Sequence, residues 1–197
     1  MRGGQLMDFS VSRGTIPLHS IDAAYMISPG VGYIRINRFA ANTYQEFMDA
    51  MLDLQKKGLE KLIVDLRQNS GGYLDAAVHI ADEFLGDHEL IVYTEGKHYP
   101  RKDYKSEKAG VFEKGPLAIL VDGGTASASE ILAGARQDGD LATIIGRRTF
   151  GKGLVQEPFI LNDRSEHRLT IARYYTPLGR SIQRPYNQGR EAYNDEV

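Results

Sequence analysis

Two short stretches hold the residues with the most chemical promise. Gly123-Gly124-Thr125-Ala126-Ser127-Ala128-Ser129-Glu130 offers two serines, and Thr149-Phe150-Gly151-Lys152-Gly153-Leu154-Val155-Gln156 offers a lysine framed by glycines, with a glutamine four residues on. A serine hydroxyl becomes a nucleophile when a neighbouring base takes its proton, and Lys152 is the best base candidate in the chain. The serines follow an apolar run, Leu117-Ala118-Ile119-Leu120-Val121, that reads as a buried strand. They precede a helix expected over about 129–137. A hydroxyl at such a turn lies where unpaired N–H groups and the positive end of the helix dipole favour developing negative charge.

Glycine-rich turns follow three strand candidates, at 69–72, 123–124 and 151–153. In an α/β sheet the carboxyl ends of the strands share an edge where ligands gather. One such turn is ordinary; three carrying a serine and a lysine point to a site. Competing motifs are weaker. Residues 146–152 match a phosphate-cradling loop up to Lys152, but Gly153 stands where a magnesium-binding hydroxyl belongs and no helix pattern follows. The five histidines, His19, His79, His88, His98 and His167, form no recognisable nucleophile or zinc pattern. A Ser–His–Asp triad stays open, since its members need not be adjacent in sequence. Asp65 and Arg67 read as loop-pinning ion-pair partners, with catalysis the sharper alternative.

The elements that must position these residues follow from periodicity. Residues 24–27 and 31–36, separated by Ser28-Pro29-Gly30, read as a hairpin. Thr43-Tyr44-Gln45-Glu46 fits a capping box ahead of a helix carrying Phe47, Met48, Met51, Leu52 and Leu54, closed by Gly58. A strand at 62–66, a helix at about 74–85 and a strand at 90–93 follow. Residues 96–115 are polar and rich in Lys and Arg, and are expected to be a solvated loop, or a lid over substrate. Strands at 117–121, 143–145, 155–161 and 167–175 complete an α/β pattern. A mixed sheet with βαβ units, flanking helices and β-hairpins at both ends is expected.

Composition narrows the classes. The 197 residues suit one domain, and a net charge of -2 argues against nucleic acid as a partner. With no cysteine there is no disulfide, thiolate metal site or cysteine nucleophile. No metal or cofactor is called for. No run of residues is long and apolar enough to span a membrane, and the first five residues are no signal peptide.

Residues 65–72, residues 125–135 and residues 149–156 together resemble the three signature blocks of the carboxyl-terminal processing (tail-specific) proteases, serine peptidases of the Ser–Lys type. The run Tyr175-Thr176-Pro177-Leu178-Gly179-Arg180-Ser181-Ile182 is similar to the segment that follows in that family. The resemblance spans about residues 13–185. It implies a crotonase-like core in which Ser127 is the nucleophile, Lys152 its base and Gln156 the residue orienting that lysine. Gly72 (or Gly71) with Ala128 would form the oxyanion hole, and Ser129 would cap the following helix. It further implies a serine endopeptidase acting near protein C-termini through an acyl-enzyme, with a protein or peptide substrate and no cofactor. The working place would be the bacterial periplasm or cell envelope. Members usually carry a peptide-binding PDZ domain. Here residues 1–12 are expected to be the remnant of one, 13–185 the catalytic core and 186–197 a tail. A non-cleaving peptide-binding relative, an inactive core, a crotonase-like acyl-CoA enzyme and a homo-oligomeric state all stay open.

Overall fold

Pro29-Gly30 folds the chain back between β1 (Ile21–Ser28) and β2 (Val31–Ile36), with Gly30 at the positive φ of 76° that the turn requires. In the computed structural model, which describes residues 9–10, 12–14, 18–186, 189 and 193, β2 alternates between half-buried and buried residues. The inward residues include Ile34 and Ile36. Helix α1 (Thr43–Lys56) crosses over to β3 (Lys61–Asp65), which lies parallel to β2. Then come α2 (Leu74–Asp82), β4 (Leu90–Gly96), β5 (Tyr99–Lys105) and β6 (Leu117–Val121), the last parallel to β3. Helix α3 (Ala128–Asp138) returns the chain to β7 (Thr143–Gly146), parallel to β6. Strands β8 (Leu154–Ile160) and β9 (Glu166–Tyr175) close with a second hairpin.

The strands form two sheets. One is mixed, in the order β1-β2-β3-β6-β7; the other is antiparallel, in the order β5-β4-β9-β8. The core lies where α1 and α2 cover the mixed sheet. Phe47, Met51 and Leu54 of α1 and Ile80 of α2 are fully buried with Ile34, Val64 and Ile119. Phe84 meets Phe47 and Phe112 edge-on, at 5.8 and 6.4 Å between ring centres. Helix α3 is buried from Ala128 through Arg136, which explains its small residues: a Cβ on Gly134 would come within 2.9 Å of the Thr176 methyl.

The expected α/β architecture, mixed sheet and terminal hairpins are present. Three expectations need correction. Residues 96–115 are not all loop, since 99–105 form β5. Its side chains are almost all exposed, so no alternation of apolar residues betrays it. Thr43 does not cap α1. Asn42 is the N-cap, and Thr43 Oγ1 instead accepts from the Ala40 amide and donates to Ser20, while Glu46 turns outward to the amides of Ser20 and Ile21 at 2.7 and 3.1 Å. Nor does Ser129 cap α3, because the helix begins one residue earlier and Ser127 holds the cap position. Of the segments expected at 1–12 and 186–197, all but residues 9, 10, 12, 186, 189 and 193 lie outside the described residues.

Candidate active site

Because β3, β6 and β7 are adjacent and parallel, the three glycine-rich turns that follow them emerge at one edge. Two buried polar side chains lace the first turn to the second. Asn69 donates to the Ile36 carbonyl (2.8 Å) and accepts from the Gly71 amide (2.9 Å), and its own carbonyl receives the Ala126 amide and the Ser129 hydroxyl. Asp122 accepts from the Gln68 amide and side chain and from the Gly124 amide. Burial pushes the Asp122 carboxyl up, but these donors outweigh it and hold it below the usual carboxylate range. Asp65 is fully buried and takes Arg67 and the Tyr33 hydroxyl. It anchors the start of this loop, as its ion-pairing reading required.

Ser127 stands at the resulting elbow with φ 56° and ψ -115°, a conformation that costs a non-glycine residue about 1–3 kcal/mol. The neighbouring turn presses against it. A Cβ on Gly71 would lie 2.8 Å from Ser127 Cβ and 2.9 Å from the Ala128 nitrogen, so only glycine fits there, at φ 95°. The Gly71 amide is taken by Asn69, whereas the amides of Gly72 and Ala128 donate to no group among the described residues. Two unengaged N–H groups thus flank the serine at the N-terminus of an eleven-residue helix. That is the arrangement that stabilises a developing oxyanion.

The third turn joins through Glu130, which sits three residues into the α3 cap and is 6% exposed. Its Oε2 accepts the amides of Ser127 and Lys152, both at 2.8 Å. Its Oε1 accepts the Gly151 amide and the Thr149 hydroxyl, both at 2.7 Å. One carboxylate therefore fixes the serine turn and the lysine loop to each other. The spacing S-x-x-E marks a capping box in the sequence, but the reach to residues 149–152 does not follow from it. From the other side, Gln183 accepts the Gly153 amide (3.0 Å) and the Arg184 amide donates to the Gly151 carbonyl (3.1 Å).

Lys152 itself is exposed, and its ammonium has no partner among the described residues. Gln156 is also exposed and reaches only the Thr170 hydroxyl across the hairpin, at 3.5 Å. The fold thus brings the backbones of Ser127 and Lys152 to one carboxylate without a hydrogen bond between their side chains. The competing motifs separate from this edge. Residues after Lys152 enter β8, not a helix, so the phosphate-loop reading lacks its dipole. His79 lies against Tyr44, His19 pairs with Glu46, and His167 is exposed on β9. Among the described residues, no group of three or more metal-ligating side chains converges.

Comparison with known proteins matches this geometry to a family. The carboxyl-terminal-processing protease of Synechocystis sp. is 41% identical over 180 residues, 90% of this chain and 42% of that protein. The carboxyl-terminal-processing protease of Picosynechococcus sp. is 42% identical over 176 residues, 88% and 42% respectively. The chain spans less than half the length of these curated relatives. Among solved structures, a photosystem II D1 C-terminal processing protease superposes with a TM-score of 0.76 at 36% identity, over 87% of this chain and 47% of that one. The family model for peptidase family S41 matches residues 30–188, and the chain belongs to that family.

Proposed function

We propose that this chain carries the Ser–Lys centre of a serine endopeptidase that cleaves proteins near their C-termini. The observation that carries the reading is the strained Ser127 elbow, flanked by the unengaged amides of Gly72 and Ala128 and tied through Glu130 to the Lys152 loop. In this reading Lys152, as free amine, takes the Ser127 proton while Oγ adds to the scissile carbonyl. The oxyanion rests on the Gly72 and Ala128 amides, each donor contributing about 3–4 kcal/mol. Gly71 acts through shape, since its amide already serves Asn69. The C–N bond then breaks, Lys152 returns the proton to the leaving amine, and water hydrolyses the acyl-serine.

The lysine supplies the chemical condition. An amine accepts a proton readily when it is shielded from water, and Gln156 can orient it without adding a negative charge that would favour the ammonium. Exposed Lys152 therefore requires a covering surface before it can act. An extended peptide laid along the sheet edge would supply one by backbone pairing, as would a peptide-binding PDZ domain. Work outside the cytoplasm, in the periplasm or cell envelope, belongs to the same proposal; finding the protein in the cytoplasmic fraction of its source cells would count against it.

The test is peptide hydrolysis together with labelling of Ser127 by a fluorophosphonate. Ser127→Ala is expected to abolish both, and Lys152→Ala to lower both by at least about a thousandfold, the scale on which triad members act. Full activity in the lysine variant ends the Ser–Lys assignment. Peptide binding without labelling points to a non-cleaving relative.

A further inference from the structure

After β9 the chain doubles back on itself. Gly179 turns it at φ 86°, Ser181 bridges antiparallel to Tyr175, and the Ile182 amide donates to the Tyr174 carbonyl at 3.2 Å. This turn is clamped to the far end of α3. Asp138, the last residue of that helix, accepts from the Leu178 amide at 2.8 Å and from Arg180 Nε at 2.9 Å. The helix that carries Ser127 at its N-cap therefore anchors, at its C-terminus, the segment leading to Gln183.

Gln183 is 5% exposed and is bonded to the lysine loop. Its Oε1 accepts the buried Gly153 amide at 3.0 Å, and its Nε2 donates to the Arg184 carbonyl at 3.1 Å. The Tyr193 hydroxyl also hydrogen-bonds this side chain. Glu130 accepts the two preceding amides, those of Gly151 and Lys152. Two buried side chains thus hold consecutive amides on either side of the lysine. The backbones also touch: a Cβ on Gly153 would lie 2.4 Å from the Gln183 nitrogen, and one on Gly151 2.9 Å from Arg184 Cβ. This close approach explains why glycines frame Lys152.

We infer that Gln183 is a positioning residue for Lys152: by holding the Gly153 amide it sets where the lysine side chain leaves the loop relative to Ser127. That role presupposes the Ser–Lys centre proposed above. Without the glutamine the buried Gly153 N–H loses its acceptor, and orphaning such a donor is costly enough to shift the backbone. Lys152 is the next residue, and a displacement of about 1 Å in a reacting group can cost about a hundredfold in rate.

The test uses Gln183→Met in the 197-residue chain, which keeps the length of the side chain and removes its hydrogen-bonding groups. Peptide hydrolysis and fluorophosphonate labelling of Ser127 are measured well below its unfolding midpoint. It is expected to lower kcat about ten- to a hundredfold while KM changes by less than about twofold. Gln183→Asn, one methylene shorter, takes its place if the methionine variant does not fold. The same substitution is then placed on Lys152→Ala. A residue that acts through the lysine has nothing left to position there, so the residual labelling of Ser127 should fall by less than about twofold. An equal loss in both backgrounds, a loss carried by KM, or an unchanged kcat overturns the inference. Full activity in Lys152→Ala would instead end the Ser–Lys reading itself, so the two failures are read from different variants.

Discussion

Glu130 gathers four donors that would otherwise face each other across two loops. Hydrogen bonds to a charged acceptor contribute about 1.5–3 kcal/mol each, and orphaning a buried donor costs a similar amount. Glu130→Gln keeps one acceptor oxygen and replaces the other with an NH₂ facing two N–H or O–H donors. We expect it to lower unfolding free energy by about 2–4 kcal/mol on that basis, measured by urea denaturation. Its effect on Ser127 labelling should be larger than an equal destabilisation elsewhere, because it frees the lysine loop from the elbow. If a core variant of matched stability labels just as slowly, Glu130 holds the fold and nothing more. At this scale the sequence is half legible. The block containing Ser127 and Lys152 stands out by glycine and hydroxyl content, and S-x-x-E announces the cap. That the same carboxylate reaches Thr149, Gly151 and Lys152 depends on β6 and β7 being neighbours, which no local pattern encodes.

Among the elements, β3 ends on Asp65, and the loop carrying Gly71 and Gly72 starts from its carboxylate. Burial pushes that carboxyl up, but the hydrogen bonds from Arg67 and Tyr33 outweigh it and hold it below the usual range. A carboxyl lowered in the folded state contributes stability that is full above its unfolded pKa of about 3.9 and is lost as pH falls through the folded value. Asp82 runs in the opposite direction: burial raises it, so its protonation on acidification favours the folded chain. Asp65→Asn is therefore expected to lower stability at pH 7 and to flatten the decline below about pH 4, followed by urea midpoints across pH. An unchanged acid limb would mean that other carboxylates, such as Asp122 and Asp138, set it. Elements with an apolar face were legible, among them the 31–36 strand and the helix bearing Phe47, Met51 and Leu54. Strand β5 was not, because an edge strand of Tyr, Pro, Arg, Lys and Asp in which only Tyr104 is half-buried against the core has no hydrophobic period to read. Thr43 misled for a different reason. Its hydroxyl bonds backward to Ala40 and Ser20, a tertiary choice that outcompetes the local cap.

On the scale of the whole molecule, the elbow and the lysine differ in readiness. Ser127 is held where the turns after β3, β6 and β7 meet, while Lys152 is exposed, as is Gln156. The relatives this chain matches are more than twice as long, so surfaces beyond these residues are available to them for covering such an amine. In the proposed Ser–Lys mechanism desolvation is then a separate event, which peptide or a further domain closing over the sheet edge would supply. Reactivity of the amine reads this directly. In the chain alone, Lys152 should react with an amine-directed acylating reagent about as fast as an exposed lysine such as Lys57, followed by peptide mass spectrometry. In Ser127→Ala, which on the proposed mechanism would hold peptide without cutting it, saturating peptide should protect Lys152 at least fivefold while leaving Lys57 unchanged. Protection confined to Lys152 would tie the drying of the amine to substrate. Equal labelling of both lysines with and without peptide would mean that peptide does not cover the amine, and desolvation would then have to come from a further domain.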